Sequence, residues 1–143
     1  MTNNMDRPFI RRTKQLALLF ACLVSLAISV PAQSLGSMDK LSIDELKQLS
    51  EQGDTTAQRL LADRYDRGQG VPADSVEAAK WLRKAADKGD PAAQYVLGTF
   101  YDEGRGVQRD MVEAAAWYRK AADQGVLLAQ FNLGDCYSRG EGV

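Results

Sequence analysis

The stretch AQYVLGTFYDEGRGVQRDMVEAAAWYRKAADQGVLL, residues 93–128, decides the fold because it repeats the segment before it. Aligned with residues 57–92, it is identical at 20 of 36 positions. A third copy begins at Ala129 and runs to Val143. A period of this length is the signature of stacked helical repeats. The sequence therefore predicts three related units, at 57–92, 93–128 and 129–143.

The first half of each unit predicts an amphipathic helix. In the first unit Ala57, Leu61 and Tyr65 recur at helical spacing and form one apolar face. Gly68 follows, and glycine accepts the left-handed conformation that ends many helices. Gly98, and likewise Gly134 in the third unit, is expected to let a neighbouring helix approach closely.

The second half of each unit predicts another helix, antiparallel to the first. Asp74 is followed three residues later by Glu77, which predicts a capping box in which each side chain bonds a free backbone N–H. Trp81 and Trp117 occur at the same repeat position and are expected to fill the space between helix pairs. A single pair cannot bury its own apolar face, so the units are expected to stack into a solenoid.

The residues before the first unit predict an N-terminal cap. Ser42 and Glu45 form another capping box, which opens a helix over 42–52. One repeat length before Trp81 stands Glu45, so this helix reads as a degenerate second helix with a polar outer face. Residues 33–41 are interpreted as a short leader.

The first 32 residues predict a secretory signal peptide. Basic residues at 7, 11, 12 and 14 precede the uncharged apolar run 16–30, and Val30-Pro31-Ala32 ends it with a small residue. We expect cleavage after Ala32 and a periplasmic or secreted protein that meets the membrane only through this segment. An uncleaved anchor and a lipoprotein modified at Cys22 are the alternatives.

Composition excludes several classes of function. Histidine is absent, which removes Ser–His–Asp and Cys–His catalysis and histidine-ligated zinc. The formal net charge of −1 argues against a nucleic-acid partner. Ser37 and Lys40 have the Ser-x-x-Lys spacing of some penicillin-binding enzymes, but the companion motifs are missing. No catalytic, metal-binding or cofactor-binding residue is therefore predicted, and Cys136 is expected to be a packed thiol.

The repeat units resemble the Sel1-like repeat, a relative of the tetratricopeptide repeat. The resemblance rests on Ala92-Ala93-Gln94 through Gly106-Val107, and then on Asp110, Ala114, Trp117, Lys120-Ala121-Ala122 and Gly125. It implies an all-α fold, a right-handed α/α superhelix, and a role as a scaffold for protein interactions. One cysteine-rich subgroup of the family has β-lactamase-like activity. A small secreted hydrolase is thus the alternative, although the paired cysteines of that subgroup are missing here.

A partner surface is predicted on the concave side, which the first helices line. Three repeat positions point inward on this spacing, and none holds the same residue in all three units. They carry Arg59, Asp63 and Asp66; Tyr95, Thr99 and Asp102; and Phe131, Asp135 and Ser138. The two aromatic residues are expected to anchor a protein or peptide, because aromatic side chains dominate interface energetics. The four aspartates are expected to favour a basic segment.

The sequence stops at Val143, before the second helix of the third unit would begin. Natural solenoids finish with a polar cap. The sequence therefore suggests either a fragment of a longer repeat protein or an open end that associates with another chain, including a second copy.

Overall fold

The computed structural model describes residues 40–142, which form six α-helices and no strand. The predicted signal peptide, most of the leader and Ser37 lie outside this range. The first helices of the three units are α2 (Thr55–Arg67), α4 (Pro91–Glu103) and α6 (Leu127–Arg139). The second helices are α1 (Ile43–Glu51), α3 (Ser75–Asp87) and α5 (Met111–Asp123). The predicted all-α architecture of helix pairs is confirmed.

Aspartate and glycine set the ends of the first helices. Asp54 and Asp90 cap α2 and α4 through side-chain oxygens that accept backbone N–H bonds of 2.8 Å. Gly68 and Gly104 end these helices in the left-handed conformation, at φ 67° and 69°. In α6 the N-cap position holds Val126, which has no side-chain cap. α6 thus begins without the side-chain hydrogen bond that stabilises the N-termini of α2 and α4.

The capping box predicted at Asp74 is only half correct. The Asp74 carboxylate accepts the N–H of Glu77 at 2.9 Å, as expected. The reciprocal bond is missing because the Asp74 N–H donates to the carbonyl of Tyr65 at 2.8 Å. The carboxylate of Glu77 binds Lys80 instead, at 2.9 Å. A backbone bond across the turn between the two helices therefore replaces half of the box.

A glutamine in each first helix ties it to the second helix before it. Its side-chain amide donates to a backbone carbonyl eight residues earlier, in the last turn of that helix. The three pairs are Gln58 with Ser50 at 2.8 Å, Gln94 with Ala86 at 3.1 Å and Gln130 with Ala122 at 3.2 Å. The glutamine bond thus links α2 to α1 in the same way as it links α4 to α3 and α6 to α5. α1 therefore contacts α2 as a second helix would, and its own capping box, Ser42 with Glu45, is complete.

The two tryptophans lie in the core, as predicted. Trp81 is 8% exposed and Trp117 is 3% exposed. Trp117 belongs to α5 but packs in the core cluster of the earlier units, and the Arg83 guanidinium of α3 lies 5.0 Å from its ring. This tryptophan therefore fills the space between neighbouring helix pairs.

Glycines mark the close contacts between helices, with one exception to the prediction. A Cβ at Gly98 would lie 2.6 Å from the buried ring of Tyr118 on α5, so this glycine does permit close approach. A Cβ at Gly134 would have no neighbour within 4 Å, so the close approach expected there is not found. Among the described residues, no second helix packs on the equivalent side of α6.

Two glycines in the loops between helices, Gly106 and Gly142, also lie close to the backbone of the preceding unit. At Gly106 φ is +67°, and a Cβ there would overlap the carbonyl of Ser75 at the start of α3. Gly142 lies against Met111 in the same way. The loops of the second and third units therefore rest directly on the backbone of the unit before them, whereas Gly70 in the first unit faces the Ile43 side chain.

Within residues 40–142, no helix combines the length and the apolar character needed to cross a lipid bilayer.

Candidate functional site

A groove of about 660 Å³ lies between α2 and α4, the first helices of two successive units. We call it the α2–α4 groove. Five of the nine predicted partner-binding residues line it: Arg59, Asp63, Asp66, Tyr95 and Thr99. They come together because a repeat of 36 residues places equivalent positions of neighbouring first helices side by side.

The other four predicted residues lie elsewhere, and they are Asp102, Phe131, Asp135 and Ser138. Asp102 is directed at α5, where the Tyr118 hydroxyl donates to it over 3.4 Å. On α6, Phe131 is 75% exposed, Asp135 pairs with Arg139 at 2.8 Å, and the Ser138 hydroxyl donates to a carbonyl of its own helix. These four residues therefore do not line the α2–α4 groove.

The acidic residues of the groove already have arginine partners within the chain. Asp63 pairs with Arg67 at 2.7 Å, and both side chains are largely exposed. Asp66 is more buried; it binds Arg105 at 3.0 Å and accepts the hydroxyl of Ser75 at 3.0 Å. Since these carboxylates are neutralised internally, they offer little net attraction to a basic segment. The argument from charge alone is therefore weaker than the sequence suggested.

Arg105 is the groove residue that the sequence analysis missed. Its guanidinium lies 4.2 Å from the centre of the Phe100 ring and also 3.4 Å from Glu103. It reaches Asp66 across 39 residues of sequence. The only sequence signal was that a neutral glutamine, Gln69, stands at the equivalent position of the first unit. That difference does not reveal a contact between two units.

Tyr95 and Thr99 line the α4 side of the groove. The ring of Tyr95 is half-buried, with its centroid 6.0 Å from that of Tyr118. The Thr99 hydroxyl donates to the carbonyl of Val96 in the same helix, so no other helix depends on it. Leu60 and Val96 add apolar surface to the lining, whereas Phe100 is 2% exposed and lies under the Arg105 guanidinium. The groove thus offers an apolar floor with charged residues along its edges, which is suited to apolar side chains of a bound segment.

Two features of the described residues concern metal binding and thiol reactivity. Among residues 40–142, no group of three or more acidic or cysteine side chains could hold a metal ion. Cys136 is 4% exposed, and burial, followed by the nearby Asp102 and Asp135, raises the pKa of its thiol. A raised pKa leaves little reactive thiolate at neutral pH. The prediction of a packed thiol is confirmed.

Solved structures similar to this chain are repeat proteins. The protective antigen c5321 of uropathogenic Escherichia coli, which displays an SLR fold, is 43% identical with a TM-score of 0.70. That match covers 72% of this chain and 22% of c5321. A Sel1 repeat protein from Oxalobacter formigenes is 34% identical with a TM-score of 0.63, covering 71% of this chain and 47% of that one. This chain thus spans less than half the length of either protein.

A third similar structure is cysteine rich protein B from Helicobacter pylori. It is 24% identical with a TM-score of 0.63, and the match covers 88% of this chain and 98% of that protein. At this identity the likeness concerns the fold alone. No curated protein matches the chain.

The Sel1 repeat matches three consecutive segments, residues 55–90, 91–126 and 127–143. Each segment starts two residues before the corresponding unit derived from the sequence period. The segments therefore begin at or next to the first residues of α2, α4 and α6. Periodicity, helix pairs and repeat match agree, and the chain belongs to the Sel1 repeat family.

Proposed function

We propose that this protein is a non-enzymatic scaffold of the bacterial cell envelope that binds a protein or peptide segment in the α2–α4 groove. The observation that carries the proposal is the convergence of five variable-position residues on one groove between first helices. Family membership supports an interaction role, since repeat solenoids present extended concave binding surfaces.

The groove indicates how the bound segment is recognised. Each acid of the groove pairs with a groove arginine, so a partner gains little from net charge. Apolar side chains of the partner would lie on the floor formed by Leu60 and Val96. Tyr95 would serve as the anchor, because a tyrosine ring contributes a large contact area and loses few rotamers. We therefore propose an apolar peptide segment in place of the basic one first expected.

The envelope location rests on the predicted signal peptide. Intact-mass measurement of the protein secreted by an expressing bacterium tests it. The expected N-terminus is Gln33. A mass that retains residues 1–32, or one that begins at Cys22 with added acyl groups, would contradict cleavage after Ala32.

The groove itself is tested with a blocking variant, Thr99→Arg. Thr99 bonds only within its own helix, so the substitution should leave the fold intact while placing a long charged side chain in the groove. The matched control is Val76→Arg, which introduces the same side chain at a position that is 53% exposed and outside the groove.

Tagged wild-type and variant proteins are used to capture binding partners from an envelope extract, with quantitative mass spectrometry. A true groove partner should be recovered with the wild type and with Val76→Arg, and reduced about tenfold with Thr99→Arg. Equal recovery with both variants would place partner binding outside the groove. Circular dichroism of each variant verifies that helicity is unchanged.

A further inference from the structure

The α2–α4 groove contains equal numbers of acids and arginines, but they are not evenly paired. Its lining includes Asp63, Asp66 and Glu103, together with Arg59, Arg67 and Arg105. Arg67 and Arg105 together pair with all three acids, over 2.7, 3.0 and 3.4 Å. Arg59 is therefore the groove arginine that no acid of the lining neutralises.

Arg59 does have one carboxylate beside it, that of Asp90, but the contact is long. The Nε atom of Arg59 lies 3.9 Å from Asp90 Oδ1, which is beyond hydrogen-bond distance. The same oxygen already accepts the N–H of Ala93 at 2.8 Å, as the N-cap of α4. This Nε atom is buried and has no acceptor among residues 40–142. The side chain as a whole is 38% exposed, so a ligand in the groove can reach it and use its remaining donors.

Arg59 also adjoins the apolar floor of the groove. Leu60 follows it directly, and Tyr95, which occupies the same repeat position 36 residues later, lines the facing helix. Asp63 lies one turn along α2 from Arg59, but its pairing with Arg67 limits its repulsion of a second carboxylate. A carboxylate bound at Arg59 would thus have apolar surface directly beside it.

We propose that Arg59 binds a side-chain carboxylate of the segment held in the groove, so that the partner carries an aspartate or glutamate next to apolar residues. The inference rests on the proposed function and adds the chemistry of the partner. A guanidinium suits this role because its fork of N–H groups matches a carboxylate. From Arg59 to Asp66 the helix rises about 10 Å, which about three extended residues would span, so the recognised motif is short.

A library of short random peptides, displayed inside a carrier protein so that no free carboxyl terminus is present, identifies the preferred sequences. The purified chain should enrich peptides with an acidic residue next to leucine, isoleucine, valine or phenylalanine. Thr99→Trp fills the groove without adding charge and should enrich none of them.

An enriched peptide, synthesised with both ends blocked, is then measured by fluorescence anisotropy in a double-mutant cycle. Arg59→Gln should weaken its binding about tenfold. Replacing the acid of the peptide by its amide should weaken binding to the wild type by a similar factor and have little further effect on Arg59→Gln. The variant should stay folded, because Asp90 keeps its bond from Ala93.

Charge reversal gives a second readout. Arg59→Glu should enrich peptides with lysine or arginine in place of the acid. The matched control is Arg83→Glu on α3, whose side chain is 45% exposed and lies outside the groove. This control should keep the preference for acidic peptides, and circular dichroism of each variant verifies that helicity is unchanged.

The possible failures are distinguishable. Enriched peptides without an acid, a cycle without coupling, or the same change of preference in Arg83→Glu would overturn the role of Arg59 and leave groove binding in place. Enrichment of the same peptides by Thr99→Trp, or of no sequence by the wild type, would overturn the groove as the binding site and the proposed function with it.

Discussion

The same substitution at two equivalent glycines is expected to change stability in opposite directions. Gly98 and Gly134 occupy the same position of successive repeats, each in the interior of a first helix. Replacing glycine by alanine in a helix ordinarily stabilises it by about 0.5–1 kcal/mol, because alanine has less backbone freedom to lose. Whether that gain appears depends on the space around the new methyl group.

At Gly98 the methyl group would lie 2.6 Å and 2.7 Å from two carbons of the Tyr118 ring, and 3.3 Å from the carbonyl oxygen of Ala114. The ring is 1% exposed and cannot move aside without disturbing the core. Overpacking of this kind costs roughly 1–3 kcal/mol, and here the upper end applies because two ring atoms and a helix backbone are all in contact. After the gain in helix propensity, we expect Gly98→Ala to destabilise the chain by about 2 kcal/mol.

At Gly134 no atom from elsewhere in residues 40–142, apart from the helix's own backbone, lies within 4 Å of the new methyl group, so only the favourable effect remains. We expect Gly134→Ala to stabilise the chain by about 0.5–1 kcal/mol. Urea unfolding followed by far-ultraviolet circular dichroism measures both changes. For a domain of this size, the melting temperatures should separate by about 10 °C or more. A destabilising Gly134→Ala, or a neutral Gly98→Ala, would refute the contact argument.

Three further changes test other parts of the structure. Gly106→Ala should destabilise the chain by about 3 kcal/mol or more, because its methyl group meets the Ser75 backbone. Gly125 also has a positive φ, +87°, but no neighbour among the described residues within 4 Å, so Gly125→Ala should cost only about 1–2 kcal/mol. Equal losses of stability in urea unfolding would contradict the inter-unit contact. Trp117→Ala should cost about 3–5 kcal/mol, whereas Trp117→Phe should cost about 1 kcal/mol because the indole N–H has no acceptor among residues 40–142. A large loss of melting temperature for the phenylalanine variant would contradict this contact pattern. In a Cys22→Ser background, Cys136 should react slowly with iodoacetamide at neutral pH and faster as the pH rises. The reason is that burial raises the pKa of the thiol, and the thiolate is the reactive form. A reaction rate of the native protein equal to the rate in urea would show that the thiol is accessible.

Much of the fold was predictable because its signals are local. The helix ends at Gly68 and Gly104 and the caps at Asp54 and Asp90 depend on residues close in sequence. The 36-residue period then implied the stack, since helix pairs of one kind must bury the same face against each other. The capping box at Asp74 was half wrong because a backbone carbonyl from the preceding helix, that of Tyr65, competes for the same N–H.

The candidate site was less predictable, because it depends on contacts between units. The inward-facing positions could be counted from the period, and five of them do line one groove. Of the arginines that neutralise their carboxylates, Arg67 lies one helical turn after Asp63, whereas Arg105 could not be foreseen. Arg105 reaches Asp66 from the loop of the next unit, and sequence spacing contains no measure of that distance.

By itself, the sequence determined the helices, their ends, their pairing and the burial of both tryptophans, because hydrophobic periodicity and capping act within one or two turns. The tertiary structure alone decided what each equivalent position does. Gly98 lies beneath a tyrosine and Gly134 lies in open space, although the two glycines occupy the same place in the repeat. The physical reason is that a repeat fixes the shape of each unit, whereas packing depends on the neighbour that each unit meets.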